Sequence, residues 1–158
     1  MPMHAKTVAK TATKTMAKTE SMKSLGYLSR YAHRAFVKAL ARELEPHGIL
    51  PSQWSVLRIL WGSSGLTQVE LAERMRVEKA SLTGVLEGME RKGLIVRTRN
   101  AQDRRKINIT LTRAAERLKA KVLPCAARIN SRASRGMSAP EIAALRNSLT
   151  TLIRNLER

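Results

Sequence analysis

Residues 93–112 read GLIVRTRNAQDRRKINITLT, and this stretch decides the fold. Two β-type runs, Leu94–Arg99 and Lys106–Leu111, flank a polar turn with the sequence DRR at positions 103–105. Apolar residues alternate along both runs, which predicts a half-buried hairpin whose tip stands in water. A hairpin tip that carries guanidinium groups is suited to contact phosphate or a narrow groove of a duplex.

The sequence before the hairpin predicts two short helices. Thr67 and Glu70 have the spacing of a capping box, in which each side chain bonds the other's backbone amide, so a helix begins there and runs to about Met75. A second helix runs from Glu78 or Lys79 to Lys92 and ends at Gly93, the residue type favoured just after a helix. The pattern is typical of a helix-turn-helix followed by a wing. The inward face of the second helix is predicted at Leu82, Val85, Leu86 and Met89.

Further helices are predicted on both sides of this unit. An apolar stripe at helical spacing predicts a helix over Ser24–Glu45, and Pro51 is suited to start the next helix. After the hairpin, Thr112 caps a long helix to about Arg135. Ser138 and Glu141 form a second capping box, which opens a last helix. The last helix has an apolar stripe that needs a cover, with Ile142, Leu145, Leu149, Leu152, Ile153 and Leu156.

Several motifs occur together in this order: ELAERM at 70–75, a Ser/Thr-rich second helix, ERKGLI at 90–95, and Asp103-x-Arg105 followed after five residues by Leu-Thr at 111–112. With these motifs the chain resembles the MarR family of winged-helix transcription regulators, from about residue 25 to 117. The resemblance implies a mainly α fold with a small β-hairpin wing. Two positions depart from the family pattern: Ala115 stands where glycine is usual, and Gly84 where many members have a longer side chain.

The resemblance also implies a domain organisation. Residues 24–158 form one MarR-type domain, with the winged helix at about 51–112. The first helix and the last two helices, at about 24–45 and 113–157, interlock with those of a second copy. The partner is therefore a second copy of the chain, in a homodimer. Independently, three apolar stripes flank a winged helix too small to bury them all. A two-fold dimer requires a pseudo-palindromic operator with half-sites about one helical turn apart.

Composition indicates a polyanionic partner. The 158 residues include 30 Lys and Arg against 12 Asp and Glu, for a net charge of +18. Double-stranded DNA is the favoured partner, because neutralised phosphates release counterions and so drive binding. An anionic membrane is the alternative polyanion, but no apolar run approaches the ~20 residues needed to span a bilayer. We therefore expect no membrane partner and a cytoplasmic location.

Residues 1–23 differ from the rest of the chain. Lys6, Lys10, Lys14 and Lys18 recur every four residues among Ala and Thr, with almost no large apolar side chain. We therefore expect a flexible basic arm that takes no part in a packed core. Two interpretations stay open: a solvated tail without a dedicated role, or an arm that follows DNA phosphates.

The DNA contacts are assigned by position. The N-terminal half of the second helix enters the major groove, with Lys79, Ser81 and Thr83 near bases or phosphates and Gly84 allowing close approach. Tight helix packing is the simpler explanation for a glycine there, and we favour it for Gly88. The resemblance implies that Arg105 reaches the minor groove while Asp103 braces it. Phosphate contacts are expected from Arg97, Arg99, Arg104 and Lys106, and from Thr67 and Gln68 at a helix N-terminus.

An effector pocket is implied by the resemblance, between the dimer helices and the winged helix, for a small aromatic or phenolic acid. Tyr31, Arg34, His47 and Trp54 are the groups that could line it, with Arg34 pairing a carboxylate and Trp54 stacking on a ring. Each of these residues also has a plainer interpretation as a packing residue, a solvated charge or a loop histidine.

No catalytic motif, metal-ligand cluster or cofactor signature is recognisable, so we expect neither an enzyme nor a cofactor. The single cysteine, Cys125, lacks companions for zinc and reads as a small buried side chain. A ligand-responsive repressor is the function favoured by these features. Two other classes stay open: a sequence-neutral architectural DNA-binding protein, and a winged-helix subunit that docks on protein or RNA.

Overall fold

The computed structural model describes residues 22–63 and 65–158. Its elements, in chain order, are helix α1 (Leu25–Leu44), a 3-10 turn (Glu45–His47), α2 (Pro51–Leu60), strand β1 (Leu66–Thr67), α3 (Gln68–Met75), α4 (Lys79–Arg91), β2 (Ile95–Arg99), β3 (Ile107–Leu111), α5 (Arg113–Ala133) and α6 (Ala139–Leu156). The predicted fold class, mainly α with a small β wing, is confirmed. The basic arm predicted at 1–23 lies outside the described residues, apart from its last two positions.

Three predicted side-chain caps are present and explain where helices begin. Thr67 Oγ1 accepts from the Glu70 amide at 3.2 Å, while the Glu70 carboxylate accepts from the Thr67 amide at 2.7 Å. Ser138 and Glu141 repeat this arrangement at the start of α6. Thr112 Oγ1 accepts from the Ala115 amide at 3.3 Å and so opens α5. Local hydrogen bonds of this kind satisfy the free amides of a first turn, which is why a sequence motif locates them well.

The turns around α4 are equally local. Arg76, between α3 and α4, has φ of 54° and is the one non-glycine residue with positive φ in the described part of the chain. Gly93, with φ of 65°, ends α4 in the left-handed conformation that glycine adopts without a steric cost. The chain then turns directly into β2.

The sheet has three antiparallel strands in the order β1, β3, β2, so the predicted hairpin gains a third strand. Within the hairpin Ile95 pairs with Leu111 and Arg97 with Ile109. On the other edge of β3, Leu66 pairs with Ile109. Since opposite residues share a face, Arg97 lies on the same face as the fully buried Ile109.

Most of the core belongs to the winged helix, and Leu44 of α1 and Cys125 of α5 extend it. Leu57, Leu71, Leu86, Met89 and Ile109 are among its fully buried side chains. The Trp61 indole donates to the Ala115 carbonyl at 3.3 Å, which ties the end of α2 to the start of α5.

The flanking helices are much less covered. Leu44 is the single buried residue of α1, and α6 has no buried residue. The large apolar side chains of these helices that are exposed include Leu25, Leu28, Phe36, Leu145, Leu149 and Ile153. In the described ranges, no helix combines the length and the apolar character that crossing a membrane requires.

Candidate nucleic-acid interface

The helix that follows the turn, α4, presents a polar outer side. Of its four predicted inward residues, Leu82, Leu86 and Met89 are buried and Val85 is half-buried. Lys79, Ser81, Thr83 and Gly84, the four positions expected to meet bases or phosphates, are all exposed. The amphipathic helix α4 therefore packs its apolar face against the core and leaves the start of its polar face exposed to solvent.

The beginning of α3 is held against α4. Gln68 is buried, and its Nε2 lies 3.4 Å from both the Lys79 carbonyl and Thr83 Oγ1. Thr67 is also buried, and its hydroxyl donates to Glu70 at 2.7 Å. The side chains of Thr67 and Gln68 thus already have partners within the chain, and their expected phosphate contacts stay a prediction.

Strand pairing brings the wing beside the start of α3. Thr67, at the start of α3, lies opposite Asn108 of β3. The Lys106 ammonium is close enough to help lower the pKa of Glu70, although the hydrogen bonds from Thr67 are the main cause of that shift. The starts of α3 and α4 and the base of the wing therefore form one surface.

At the tip of the wing, Asp103 holds Arg105 in a fixed position. Asp103 Oδ1 accepts from the Arg105 amide at 3.1 Å and from Nε at 3.0 Å, and Oδ2 accepts from a terminal guanidinium nitrogen at 3.2 Å. Hydrogen bonds from Arg105 hold the pKa of Asp103 below its usual value. The Arg105 side chain is nevertheless 90% exposed. The carboxylate therefore orients a cation that solvent still reaches.

Asn100 organises this tip, and the sequence analysis did not select it. Its Oδ1 accepts from the amides of Gln102 at 2.9 Å and Asp103 at 3.0 Å. Its Nδ2 donates to Asn108 Oδ1 at 3.1 Å, across the hairpin. An asparagine that bonds amides two and three residues later is a common turn device, so the sequence NAQD at 100–103 carried the signal.

At the base of the wing, Arg97 is paired with a carboxylate of the chain. Its Nε and a terminal nitrogen donate to Glu90 Oε2 at 2.8 and 2.6 Å. The hydrogen bond from Arg97 lowers the pKa of Glu90, and the pKa of Arg97 is raised in turn. Because Arg97 shares the core face with Ile109 and binds Glu90, it joins β2 to α4, and its expected phosphate contact stays a prediction.

The remaining basic residues expected to bind phosphate are Arg99, Arg104 and Lys106. All three are exposed, and none has a carboxylate within ion-pair distance in the part of the chain that the structure describes. Together with Lys79 they leave four cations without an acidic partner on the surface formed by α4 and the wing.

The four residues expected to line an effector pocket have different surroundings in the structure, and their role in binding an effector stays a prediction. Trp54 is only 5% exposed and packs edge-on against Trp61, so its ring faces offer no open stacking surface. Tyr31 is exposed and stacks on Tyr27 with ring centroids 4.2 Å apart.

The Arg34 guanidinium lies 5.9 Å from the centre of the Tyr31 ring. His47, in the 3-10 turn, is half-buried. Three surface grooves of the described residues are lined by other side chains.

Cys125 is fully buried, as expected. The closest acceptors of its thiol are the carbonyls of Glu43 at 3.5 Å and Lys121 at 3.8 Å. Arg128 lies over the sulfur at 3.3 Å while it binds the Glu43 carboxylate. Over residues 22–63 and 65–158, no three His, Cys, Asp or Glu side chains group as metal ligands would.

The family model that matches this chain is that of the MarR family, over residues 49–107. The homoprotocatechuate degradative operon repressor of Escherichia coli is 39% identical over 72 residues, which cover 46% of this chain and 49% of that relative. The matched segment thus spans about half the length of this curated relative.

Solved structures match over most of the chain. The transcriptional repressor CouR bound to a 23-mer DNA duplex has a TM-score of 0.75 at 26% identity, covering 88% of this chain and 96% of that one. BpsR of Bordetella bronchiseptica has a TM-score of 0.75 at 23% identity, covering 86% and 94%. Matches of this coverage extend beyond residues 49–107, the range of the family model.

Proposed function

We propose that the chain is a member of the MarR family, whose model matches residues 49–107, and that it is a sequence-specific DNA-binding regulator of transcription and not an enzyme. The observation that carries this proposal is the tip of the wing. Arg105 is held by Asp103 through three hydrogen bonds and is still 90% exposed, as a side chain that enters a narrow groove must be. The exposed outer side of α4 offers a second surface, which suits the major groove.

The roles on DNA divide by residue. Lys79, Ser81 and Thr83 at the start of α4 contact base edges or adjacent phosphates in the major groove. Arg105 enters the minor groove. Arg99, Arg104 and Lys106 contact phosphates, which position the protein without reading sequence. Thr67 and Gln68 contact a phosphate from the N-terminus of α3.

The active species is proposed to be a homodimer. Exposed apolar side chains on α1 and α6 support it, because Leu25 is 67% exposed, and Leu149 and Ile153 are 44% and 45% exposed. A second copy that covers both helices would bury these side chains and relate the two reading heads by a two-fold axis. The operator is then a pseudo-palindrome.

We further propose that the chain is a repressor released by a small aromatic or phenolic acid. One relative is named for repression of a homoprotocatechuate degradative operon. The structure of BpsR is described as a mechanism for regulation of its DNA binding by 6-hydroxynicotinic acid. A ligand that prefers the DNA-free state by about 3 kcal/mol would lower apparent DNA affinity by roughly a hundredfold.

Fluorescence polarisation tests this proposal directly. Labelled DNA from upstream of the gene is titrated with the full chain at several salt concentrations, beside a scrambled duplex of the same length and base composition. We expect tighter binding to the upstream DNA at every salt concentration. Equal affinities with a steep salt dependence would instead identify the alternative, a sequence-neutral architectural protein.

The basic arm is tested in the same assay. Removing residues 1–21 is expected to weaken binding to both duplexes by similar factors and to flatten the slope of log K against log salt, because lysines without fixed geometry contact phosphates and not bases. An unchanged slope would leave the arm without a role in DNA binding.

A further inference from the structure

A surface groove lies between the start of α2 and the middle of α4. Its volume is about 420 Å³, and its walls include Leu50 just before α2, Gln53 from α2, and Gly84, Val85 and Gly88 from α4. This volume suits a small organic molecule. None of the residues expected at the effector pocket lines it, so it is a separate place on the molecule.

The two glycines keep this groove open, and helix packing does not require either of them. A Cβ on Gly84 would meet no atom within 4 Å, and a Cβ on Gly88 would lie at an ordinary contact distance of 3.5 Å from Gln53 Nε2. The packing explanation that we favoured for Gly88 is therefore wrong. Alanine would fit at both positions and would stabilise the helix, so the glycines leave an accessible surface instead.

Gln53 directs an unused donor into the groove. The residue is only 3% exposed, and its Oε1 accepts from the Leu50 amide at 3.2 Å and from Lys92 Nζ at 3.0 Å. Two donors at Oε1 fix the orientation of the amide group, so Nε2 faces Gly88. Among the hydrogen bonds of the described residues, none is donated by Nε2, which leaves it available to an acceptor from outside.

The end of the groove is electropositive. Lys92 Nζ also donates to the Gly48 carbonyl at 2.7 Å, which holds the ammonium beside Gln53. The Arg91 guanidinium lies 4.0 Å from the position of a Cβ on Gly88. In the described chain neither cation has a carboxylate partner. The first turn of α2 has no acidic residue either, so its positive dipole end is unmatched.

We propose that this groove binds a small organic anion. Its carboxylate accepts from Gln53 Nε2 and pairs with Arg91 and Lys92, and its apolar body packs on Leu50 and Val85. Leu50 is 57% exposed at a helix start, where a polar cap is the usual choice. That apolar wall favours an organic acid over a bare phosphate.

The regulatory meaning of the site rests on the proposed function. A ligand beside Gly84 lies on α4, the helix proposed to enter the major groove, so its occupancy would change how α4 meets DNA. Binding of the anion itself does not depend on DNA. The groove and the proposed function can therefore fail separately.

The test uses the full chain without DNA, titrated by calorimetry with benzoate, and with benzamide and inorganic phosphate as controls. Benzamide retains the aromatic body without the charge, and phosphate retains the charge without the body. We expect benzoate to bind at millimolar concentration or below, and to bind at least about tenfold more tightly than either control, since charge-assisted hydrogen bonds and apolar contact both contribute. Absence of benzoate binding would overturn the proposal. Equal affinities for phosphate and benzoate would indicate a binding site for a DNA phosphate and would overturn the assignment to an organic acid.

Variants locate the binding. Gly84→Leu fills the groove, and Arg91→Gln removes a cation that has no structural partner; each is expected to weaken benzoate binding about tenfold or more. Ala80→Leu is the matched control, because it adds the same side chain at an exposed position of α4 that does not line the groove. Arg34→Gln tests the effector pocket expected from sequence. Benzoate binding that survives Gly84→Leu but is lost in Arg34→Gln would place the ligand elsewhere and overturn the proposal.

Addition of the upstream duplex separates the two hypotheses. If benzoate binds in the groove and the operator weakens its binding, both proposals are supported, since coupling between two ligands is reciprocal. If benzoate binds in the groove but the protein has no preference for its upstream DNA, the proposed function fails and the groove remains.

Discussion

The base and the tip of the wing each contain one arginine bound to one carboxylate, and the two pairs differ in what surrounds them. At the base, the Arg97 side chain is 25% exposed and binds Glu90 of the neighbouring helix α4. At the tip, the Arg105 side chain is 90% exposed and binds Asp103 within the same turn. The base pair joins two elements, whereas the tip pair orients a cation toward solvent. The same two chemical groups thus stabilise a fold in one place and prepare a contact in the other.

The largest effect is expected from Arg105→Ala. Operator binding should weaken by about 1–3 kcal/mol, the range of a good specific contact, with no change in the midpoint of thermal unfolding, Tm. Fluorescence polarisation and thermal melting measure the two quantities. Arg104→Ala is the matched control, because this neighbouring arginine has no carboxylate brace; it should lower affinity for operator and scrambled DNA alike. Unchanged operator affinity in Arg105→Ala would contradict the assignment of the tip.

Exchanging the charges sharpens the comparison. At the base, the double variant Glu90→Arg with Arg97→Glu should recover much of the Tm that either single change loses, because the pair only joins two elements. At the tip, Asp103→Arg with Arg105→Asp should bind operator as weakly as Arg105→Ala, because the cation no longer occupies position 105. If the exchanged tip binds operator as well as the unaltered chain, the arginine need not be at position 105.

Glu90→Gln alone should lower Tm and reduce operator affinity less than Arg105→Ala does. The amide keeps the shape of the side chain but loses the charge that fixes Arg97 and, through it, β2 against α4. Glu73→Gln, an exposed glutamate on α3, is the control and should leave Tm unchanged. A Tm loss as large in Glu73→Gln would mean that net charge, and not the pair, is responsible.

Asp103→Asn should weaken operator binding by a smaller factor than Arg105→Ala. The arginine is still present, but it must be ordered when it enters the groove, since only weaker hydrogen bonds hold it in the free protein. The salt dependence of binding should stay close to that of the unaltered chain. A loss equal to that of Arg105→Ala would indicate that Asp103 contacts the DNA directly.

The smallest effect concerns pH. The pKa of Glu90 in the folded chain lies below its ordinary value of 4.5, so the ion pair contributes stability above that value and loses it as pH falls through the folded-state pKa. The difference in Tm between the unaltered chain and Glu90→Gln should therefore shrink below pH 4.5, because protonated Glu90 resembles glutamine. A difference that stays constant from neutral to acid pH would argue against the pair.

The sequence by itself determined the elements whose ends are local. Thr67, Thr112 and Ser138 cap the helices predicted to begin there, and Gly93 ends α4 where expected. Both strands of the hairpin lie within one residue of their predicted bounds. Caps, turns and short-range alternation depend on neighbours three or four residues away, so they can be recognised in the amino-acid sequence.

Only the tertiary structure decided what each basic or polar side chain does. The two-residue strand β1 has no periodicity to detect, yet its pairing with β3 brings the start of α3 beside the wing. Arg97 joins β2 to α4 because strand register places it on the core face beside Ile109, where Glu90 of α4 accepts its hydrogen bonds. Trp54 was buried against Trp61, and Gln53 was fixed by Lys92 so that its free donor faces Gly88. Contacts between residues far apart in sequence depend on how elements pack, and no local pattern encodes that packing.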